Sequence, residues 1–261
     1  MIKFKNKLVL ITGASSGIGA ATAYEFAKQK ASLALVGRNE KRLKIVKNKA
    51  TEIGANCEYF IFDLYKLDMI EDLIDKIENH FSSNISFLIN SAGFGVLGLV
   101  DNVPIEEFKK NMEINFYSPL KIIQRILPMM KKKNFGQIIS LFSGVGKRGL
   151  PGVSSYCASK FALNGLFESL RVEVQKYNID VILVSPGLVK TNFENNLKIF
   201  GDLKETFTKG NKVSPDYVAK QILYASMRRK REIILSHKTK LGIHANYWIP
   251  SLLDKILAKK I

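Results

Sequence analysis

Two side chains that could exchange a proton stand four residues apart in SSYCASKFALNGL, at positions 154–166. Because this run favours a helix, Tyr156 and Lys160 should share one helical face. A tyrosine hydroxyl titrates near ~10, and a nearby ammonium lowers its pKa by favouring the phenolate. Such a phenol can act as a general acid or base. Ordinary surface neighbours show the same spacing, so the rest of the chain must decide between the two interpretations.

A glycine-rich segment, TGASSGIG at 12–19, directly follows the first apolar run. Gly13, Gly17 and Gly19 would let the backbone turn tightly and approach a pyrophosphate, whose charge the N-terminus of the next helix favours. The alternative is a tight strand-to-helix turn with no ligand. The position between a strand and a helix at the start of the chain favours a dinucleotide site.

The second apolar run ends at Gly37 and is followed by Arg38. A fold that binds an unphosphorylated ribose places a carboxylate there for the 2′-hydroxyl. A guanidinium instead suits bidentate contact with a 2′-phosphate. The sequence therefore favours NADP(H) over NAD(H), with a surface arginine in a basic segment as the alternative, since Lys41 and Arg42 lie nearby.

The elements that would position these residues alternate along the chain. Continuous apolar runs predict buried strands at 8–12, 33–37, 59–62, 87–90, 137–142 and 181–185. Helical patterns lie at 17–30, 40–53, 67–81, 105–132 and 153–177. This alternation predicts an α/β fold with a Rossmann-like doubly wound parallel sheet, in which ligands bind beyond the carboxyl ends of the strands.

Length and composition predict one domain and exclude several classes of partner. The chain has 261 residues, 46% of them hydrophobic, and a net charge of +17. Of its 40 basic residues 32 are lysines, and base readout favours arginine, so we expect no nucleic-acid binding. Residues 201–261 carry 13 basic against 5 acidic side chains, which suggests an acidic partner or a membrane surface.

The cysteines and histidines predict no disulfide and no metal site. Cys57 and Cys157 lie in apolar segments without CxxC spacing, and this is typical of free thiols in a reducing cytosol. The histidines at 80, 237 and 244 lack the spacing of metal ligands. The apolar run at the start breaks at Thr12, and no run is long enough to span a bilayer, so we expect a cytoplasmic protein.

Over roughly 5–235 the chain resembles the short-chain dehydrogenases/reductases in their compact single-domain form. TGASSGIG matches their TGxxxGxG, NSAG at 90–93 matches NNAG with Ser91 in place of the second asparagine, and PGLVKT at 186–191 matches PGxxxT. Asp63 matches the residue that faces the adenine. The resemblance implies cofactor contacts from Gly13, Ser15, Ser16, Gly17, Ile18, Gly19, Arg38, Asp63, Asn90, Ala92, Gly93, Tyr156, Lys160, Pro186, Gly187, Val189 and Thr191.

The resemblance also implies a catalytic set of Asn115, Ser143, Tyr156 and Lys160. Ser143 precedes Tyr156 by 13 residues, the interval that the family shows, whereas Ser140 is interpreted as a strand residue. With NADPH as hydride donor, Ser143 would stabilise the carbonyl oxygen and Tyr156 would supply the proton. Lys160 would lower the tyrosine pKa and hold the nicotinamide ribose, and Asn115 would anchor a water that links Lys160 to solvent.

The predicted activity is therefore NADP(H)-dependent reduction of a carbonyl to an alcohol. The alternatives are a 3-oxoacyl-[acyl-carrier-protein] reductase, which shares every catalytic residue, and an NADP(H)-binding regulator without turnover. The intact set of four residues argues against the regulator. By resemblance, the helix at 153–177 would also contact a partner subunit in a homodimer or homotetramer.

The resemblance further implies that residues 192–213, within a domain predicted over 1–236, form an insertion that closes over the substrate. Apolar side chains there and in nearby loops predict a hydrophobic ketone, aldehyde or 3-oxoacyl substrate. They are Phe94, Val96, Leu97, Leu150, Val153, Phe193, Leu197, Ile199, Phe200 and Phe207.

The last segment, 237–261, is predicted to be a basic amphipathic tail. After Pro250, a helix would place Leu252, Leu253, Ile256, Leu257 and Ile261 on one face, opposite Lys255, Lys259 and Lys260. This tail would dock on its own domain, contact a second subunit, or lie on an anionic membrane with Tyr247 and Trp248 at the interface.

Overall fold

Strands and helices alternate from the N-terminus of the computed structural model, which describes residues 3–202 and 210–259. The strands are β1 (Leu8–Thr12), β2 (Ser32–Gly37), β3 (Cys57–Ile61), β4 (Ile85–Asn90), β5 (Val96–Leu97), β6 (Gly136–Leu141), β7 (Ile179–Ser185), β8 (Lys198–Ile199) and β9 (Glu232–Ile234). The helices are α1 (Gly17–Lys28), α2 (Glu40–Glu52), α3 (Ile70–Phe81), α4 (Ile105–Met112), α5 (Ser118–Lys132), α6 (Ser154–Glu173), α7 (Pro215–Met227), α8 (His237–Trp248) and α9 (Pro250–Ala258).

Seven of the strands form one parallel sheet in the order β3-β2-β1-β4-β6-β7-β9. The strand order reverses between β1 and β4, which is where a crevice for ligands opens in such sheets. Thr12 at the end of β1 lies opposite Val36 and Asn90, and Asn90 lies opposite Ser140. The prediction of a doubly wound parallel sheet is therefore confirmed, and the residues that follow these strands meet at one edge.

Helices cover both faces of the sheet. One core cluster joins the sheet to α1, α2 and α7, and a second joins it to α3, α5 and α6. β1 is buried throughout. Burial on both faces explains why these strands have continuous apolar sequences rather than alternating ones.

The long helix predicted over 105–132 is interrupted. α4 ends at Met112, a π-helical turn spans Glu113–Tyr117, and α5 begins at Ser118. A π turn accommodates one extra residue, which shifts the helical face that follows. Asn115 lies in this turn and is buried.

α7 was not predicted from its apolar pattern. Its N-terminus nevertheless has a clear local signal, because the Ser214 hydroxyl accepts a hydrogen bond from the Tyr217 amide at 3.1 Å and Pro215 occupies the first helical position.

The tail folds into two helices and docks on its own domain. α9 begins at Pro250 as predicted, whereas α8 was not predicted. The Arg148 guanidinium, in the loop after β6, bonds to the Asn246 side chain at 2.8 Å and to the carboxylate of Asp254. Lys260 and Ile261 of the predicted tail and Phe207 of the predicted insertion lie outside the described residues.

Candidate active site

The glycine loop after β1 is tied to the segment after β4. The Thr12 hydroxyl accepts hydrogen bonds from the backbone amides of Ser91 and Ala92, at 3.2 and 3.3 Å. A Cβ atom on Gly13 would lie 2.8 Å from the Ala92 backbone, and Gly13 has a φ of +65°, so glycine is required there. These contacts join two predicted cofactor segments.

The N-terminus of α1 is open to an anion. Ser16 occupies the capping position but its side chain caps no amide within the described residues. A Cβ atom on Gly19 would lie 2.4 Å from the Gly13 carbonyl oxygen, and one on Gly17 would lie 3.1 Å from the Thr191 side chain. The glycines of the loop therefore pack closely on neighbouring residues, while the first amides of α1 have no side-chain cap. This arrangement fits the pyrophosphate of a dinucleotide.

The ends of β2 and β3 place the residues that were predicted to contact the adenosine half. A Cβ atom on Gly37 would lie 3.5 Å from that of Ser15, so the end of β2 borders the glycine loop. Arg38 follows and is exposed. Asp63 follows β3, and its carboxylate accepts a hydrogen bond from the Tyr65 amide at 3.2 Å.

Asn90 and Ser140 link the central strands. The Asn90 amide donates to the Ser140 hydroxyl at 3.0 Å, and both side chains are buried. Ser140 thus lies within β6 and inside the sheet, as predicted. At position 91, where the resemblance implies asparagine, the backbone amide of Ser91 donates to the Thr12 hydroxyl, a bond that does not depend on the side chain.

Asn115 is the centre of a buried polar cluster behind the helix that carries the tyrosine. Its side-chain nitrogen lies 2.9 Å from the Asn111 side chain, 3.0 Å from the Ser159 hydroxyl and 3.1 Å from the Phe94 carbonyl. Its side-chain oxygen accepts from the Phe94 amide at 3.3 Å. The cluster fixes α6 against the segment after β4.

Asn111 and Ser159 were not predicted as site residues. Ser159 immediately precedes Lys160, and Asn111 precedes Asn115 by one helical turn. This spacing from the predicted catalytic residues is the signal that the sequence offers, and their burial is visible only in the structure.

Ser143, Tyr156 and Lys160 converge at the carboxyl end of β6. The Ser143 hydroxyl lies near enough to the Tyr156 phenol to lower its pKa, and it accepts a hydrogen bond from the Val145 amide at 3.4 Å. The Lys160 ammonium lies 5.6 Å from the centre of the tyrosine ring and donates to the Leu141 carbonyl at 3.0 Å. The helical spacing of α6 therefore does place the phenol and the ammonium on one face.

The electrostatics of this group differ from the expectation. Burial raises the pKa of the Tyr156 phenol above its ordinary value of 10.0, the neighbouring Cys157 raises it further, and the hydrogen bond with Ser143 lowers it. Lys160 was expected to lower the pKa of the phenol, but it is not among the causes here. It is 5% exposed, its ammonium is directed to a carbonyl, and burial lowers its own pKa to about 8.

An aromatic side chain lies beside the phenol on the side of the predicted insertion. The rings of Phe193 and Tyr156 have their centres 6.0 Å apart. A Cβ atom on Gly95 would lie 2.8 Å from Leu197 and 3.3 Å from Phe193, so the insertion packs closely on the loop after β4. β5 pairs with β8 in a separate two-stranded parallel sheet, which holds this packing in register.

A buried carboxylate also holds the insertion. Glu107 on α4 is 7% exposed and accepts hydrogen bonds from the Lys198 ammonium at 2.8 and 2.9 Å. The pair joins α4 to β8 and was not predicted.

The PGLVKT segment runs along the same edge as the glycine loop. Pro186 is buried, Gly187 has a φ of +76°, and a Cβ atom on Gly187 would lie 2.9 Å from Ser236. Val189 forms a parallel bridge with Val213, and Thr191 contacts Gly17. All of the predicted site residues lie within the described ranges, at the carboxyl edge of the sheet or in the polar cluster behind it.

Both cysteines are free and buried, as predicted. Within 3–202 and 210–259 no group of three or more histidine, cysteine and acidic side chains could hold a metal ion. None of the helices described there is both long and apolar enough to cross a membrane.

Comparisons with known proteins agree with this architecture. A family model described as short chain dehydrogenase matches residues 7–199. The chain is 32% identical to a dehydrogenase/reductase SDR family protein 7-like from Drosophila melanogaster, over 99% of this chain and 82% of that protein.

Two solved structures share the fold. A short chain dehydrogenase/reductase from Burkholderia phymatum in complex with NAD superposes with a TM-score of 0.85 at 20% identity, over 97% of this chain and 96% of the other. An alcohol dehydrogenase from the archaeon Thermococcus sibiricus, complexed with 5-hydroxy-NADP, gives 0.77 at 25% identity, over 88% and 96%. The matched family region extends from β1 to β8 and includes all four predicted catalytic positions.

Proposed function

This chain belongs to the short-chain dehydrogenase/reductase family and is an oxidoreductase, and from that premise we propose that it reduces a carbonyl compound to an alcohol with NADPH. The observation that carries the proposal is the convergence of Ser143, Tyr156 and Lys160 at the carboxyl end of β6.

The proposed cofactor is a nicotinamide dinucleotide held along the carboxyl edge of the sheet. The glycine loop and the N-terminus of α1 would hold its pyrophosphate, Asp63 would face the adenine, and the segment from Pro186 to Thr191 would hold its nicotinamide end. When bound, it would supply the hydride. The absence of a side chain on Gly37 and the exposed Arg38 after it favour a 2′-phosphate, and hence NADP(H).

The proton chemistry falls to the residues of the chain. Ser143 would donate a hydrogen bond to the substrate oxygen as negative charge develops there. Tyr156 would donate the proton from its phenol oxygen, and its raised pKa keeps that proton in place until the oxygen has become basic. Lys160 would hold the nicotinamide ribose, and Asn115 would anchor a water on the path from Lys160 to solvent.

The substrate is proposed to be an apolar ketone, aldehyde or 3-oxoacyl compound. Phe193 beside the tyrosine and Leu197 over Gly95 support an apolar lining. In this proposal residues 192–213 cover the bound substrate, within a domain that spans 1–236.

We further propose that the protein is a cytoplasmic homodimer or homotetramer. Two large apolar side chains on α6, Phe161 and Val172, are 45% and 73% exposed and would be covered by a partner subunit. Peripheral membrane contact through the tail of 237–261 is part of the same proposal.

The test is oxidation of NADPH, and separately of NADH, with a panel of apolar ketones, aldehydes and 3-oxoacyl thioesters. Wild-type turnover with NADPH that falls by about 10²- to 10⁴-fold in Tyr156→Phe would support the reductase. The matched control is Tyr177→Phe, at the far end of the same helical segment, which should retain full activity.

Three other outcomes would change the proposal. Turnover confined to acyl-carrier-protein thioesters would assign the narrower 3-oxoacyl reductase activity. Cofactor binding without turnover on the whole panel would favour the regulator. Equal activity of Tyr156→Phe would remove the tyrosine from the mechanism.

A further inference from the structure

The two tail helices expose a set of large apolar side chains, here called the tail surface. Tyr247 and Trp248 at the end of α8 are 77% and 76% exposed. The other members are Leu241, Ile249, Leu252 and Ile256, which are 49% to 69% exposed. We propose that the tail surface inserts into the interfacial region of an anionic phospholipid bilayer and holds the protein on it.

The types of side chain match the chemistry of a bilayer interface. Tyrosine and tryptophan place an apolar ring and a polar group at the level of the headgroups, and leucine and isoleucine enter the acyl boundary. Tyr247 and Trp248 are adjacent, with ring centres 5.0 Å apart, at the junction of the two helices. A helix pair of this kind can lie in the plane of the interface without crossing the membrane.

The charges around the tail surface favour an anionic lipid. The described part of the tail carries four exposed lysines, at 238, 240, 255 and 259. Its one acidic residue, Asp254, is bonded to the Arg148 guanidinium and so is compensated. Lysines on the same two helices as the exposed apolar side chains are attracted by negative headgroups.

The same charges argue against a second copy of this chain as the occupant. A two-fold contact through the tail surface would bring each set of lysines towards its own copy, because both subunits use the same patch. Like charges brought together in a low-dielectric contact repel, whereas phosphate headgroups neutralise them.

The tail surface is presented by a segment that is fixed to the domain. The methyl group of Thr239 packs on Gly144, where an added Cβ atom would lie 2.2 Å from it, and Arg148 is bonded to both tail helices. α8 has 12 residues and is about 18 Å long. A tail surface bound to lipid would therefore hold the loop of Ser143 about one helix length from the bilayer.

The test uses the full chain and its single tryptophan, which belongs to the tail surface. The emission of Trp248 and co-sedimentation are measured with vesicles of phosphatidylglycerol and phosphatidylcholine, and with phosphatidylcholine alone, at low and high salt. We expect a blue shift and sedimentation with the anionic vesicles, weakened by salt.

Two double variants make the test specific. Tyr247→Ser with Leu252→Ser should weaken binding by about tenfold or more. The matched control is Ile45→Ser with Tyr224→Ser, which removes two exposed apolar side chains from α2 and α7 and should bind like the wild type.

The proposal is overturned if the anionic vesicles leave the emission unchanged, or if the tail variant binds as tightly as the wild type. It is also overturned if the tail variant loses self-association, measured by light scattering, while its vesicle binding is unchanged, because the surface would then be a subunit contact. The readout needs neither cofactor nor turnover, so failure of the proposed reaction would not affect it.

Discussion

Phe193 lies against Tyr156 with the two ring centres 6.0 Å apart and their planes inclined at 55°. This contact places an apolar group from the segment after β7 beside the phenol that is proposed to act as acid. We therefore expect one carbon substituent of a carbonyl that accepts a proton from Tyr156 to lie near Phe193.

Replacing Phe193 by alanine should selectively weaken the binding of apolar substrates. We expect KM for a long-chain ketone to rise by roughly tenfold, equivalent to about 1.4 kcal/mol of lost apolar contact, with little change for acetone. Ile45→Ala on α2 is the control, since Ile45 is 65% exposed and lies outside the set of residues predicted to line the substrate pocket. Equal effects on the long and the short ketone would contradict an apolar subsite at Phe193.

Ser143→Ala, compared with Ser140→Ala, should distinguish the proposed catalytic serine from the structural one. Loss of its hydrogen bond should lower kcat by about 10²- to 10³-fold. It should also raise the pKa of Tyr156 further, because Ser143 is the group that lowers that pKa.

Ser140→Ala is the counterpart of that variant. It should leave kcat near the wild-type value and reduce the free energy of unfolding by about 1–3 kcal/mol, because the buried Asn90 amide loses its acceptor. Denaturant unfolding and steady-state kinetics on both serine variants check this division, and the opposite pattern would exchange the two roles.

Arg38→Ala should change the choice of cofactor. Loss of a charge-assisted contact of about 1.5–3 kcal/mol should raise KM for NADPH by about 10- to 100-fold and leave KM for NADH nearly unchanged. Arg42→Ala, an exposed arginine one turn further on, serves as the control. A parallel rise for both cofactors in Arg38→Ala would mean that Arg38 does not recognise the 2′-phosphate.

Asn115→Leu should destabilise the fold as well as reduce activity. Its amide lies within hydrogen-bonding distance of Asn111, Ser159 and the Phe94 backbone, and these buried groups would lose a partner. We expect the free energy of unfolding to fall by about 3 kcal/mol or more, against almost no change for the exposed Asn48→Leu on α2. Equal stabilities of the two variants in urea would show that the cluster contributes little.

Lys160 should make stability depend on pH in the alkaline range. Its pKa is lowered from 10.5 to about 8, so between these values the unfolded chain binds the proton more tightly than the native one. Lys160 therefore contributes stability that rises with pH across this window, by up to about 1.4 kcal/mol per pH unit, and this gain is absent below pH 8. Above pH 9 the buried thiols of Cys57 and Cys157, whose pKa values are raised, contribute the opposite slope. Lys160→Met should remove the rise when unfolding by urea is measured from pH 7.5 to 9, and an unchanged rise would assign it to other groups.

Motif spacing predicted much of the site because it reflects local geometry. The interval of four between Tyr156 and Lys160 defines a helical face, and glycines at 13, 17 and 19 require a tight turn. The contacts of Asn115 with Ser159 and of Glu107 with Lys198 join residues that are 44 and 91 positions apart. No periodicity signals such pairs, so they were not predicted.

The tail illustrates the same limit. Its apolar residues and the helix start at Pro250 were evident, but three docking places remained open. The bonds of Arg148 to Asn246 and Asp254 place the tail on the loop after β6, across 98 and 106 positions of sequence.

The sequence alone determined the alternation of strands and helices that builds the central sheet, the burial of that sheet on both faces and the identity of the chemical groups, because these follow from local periodicity and residue type. Only the tertiary structure decided how those groups influence one another. Burial around α6 raises the pKa of Tyr156 and lowers that of Lys160, and the ammonium is directed to the Leu141 carbonyl. Desolvation depends on everything that packs around a group, and that packing is assembled from segments distant in the chain.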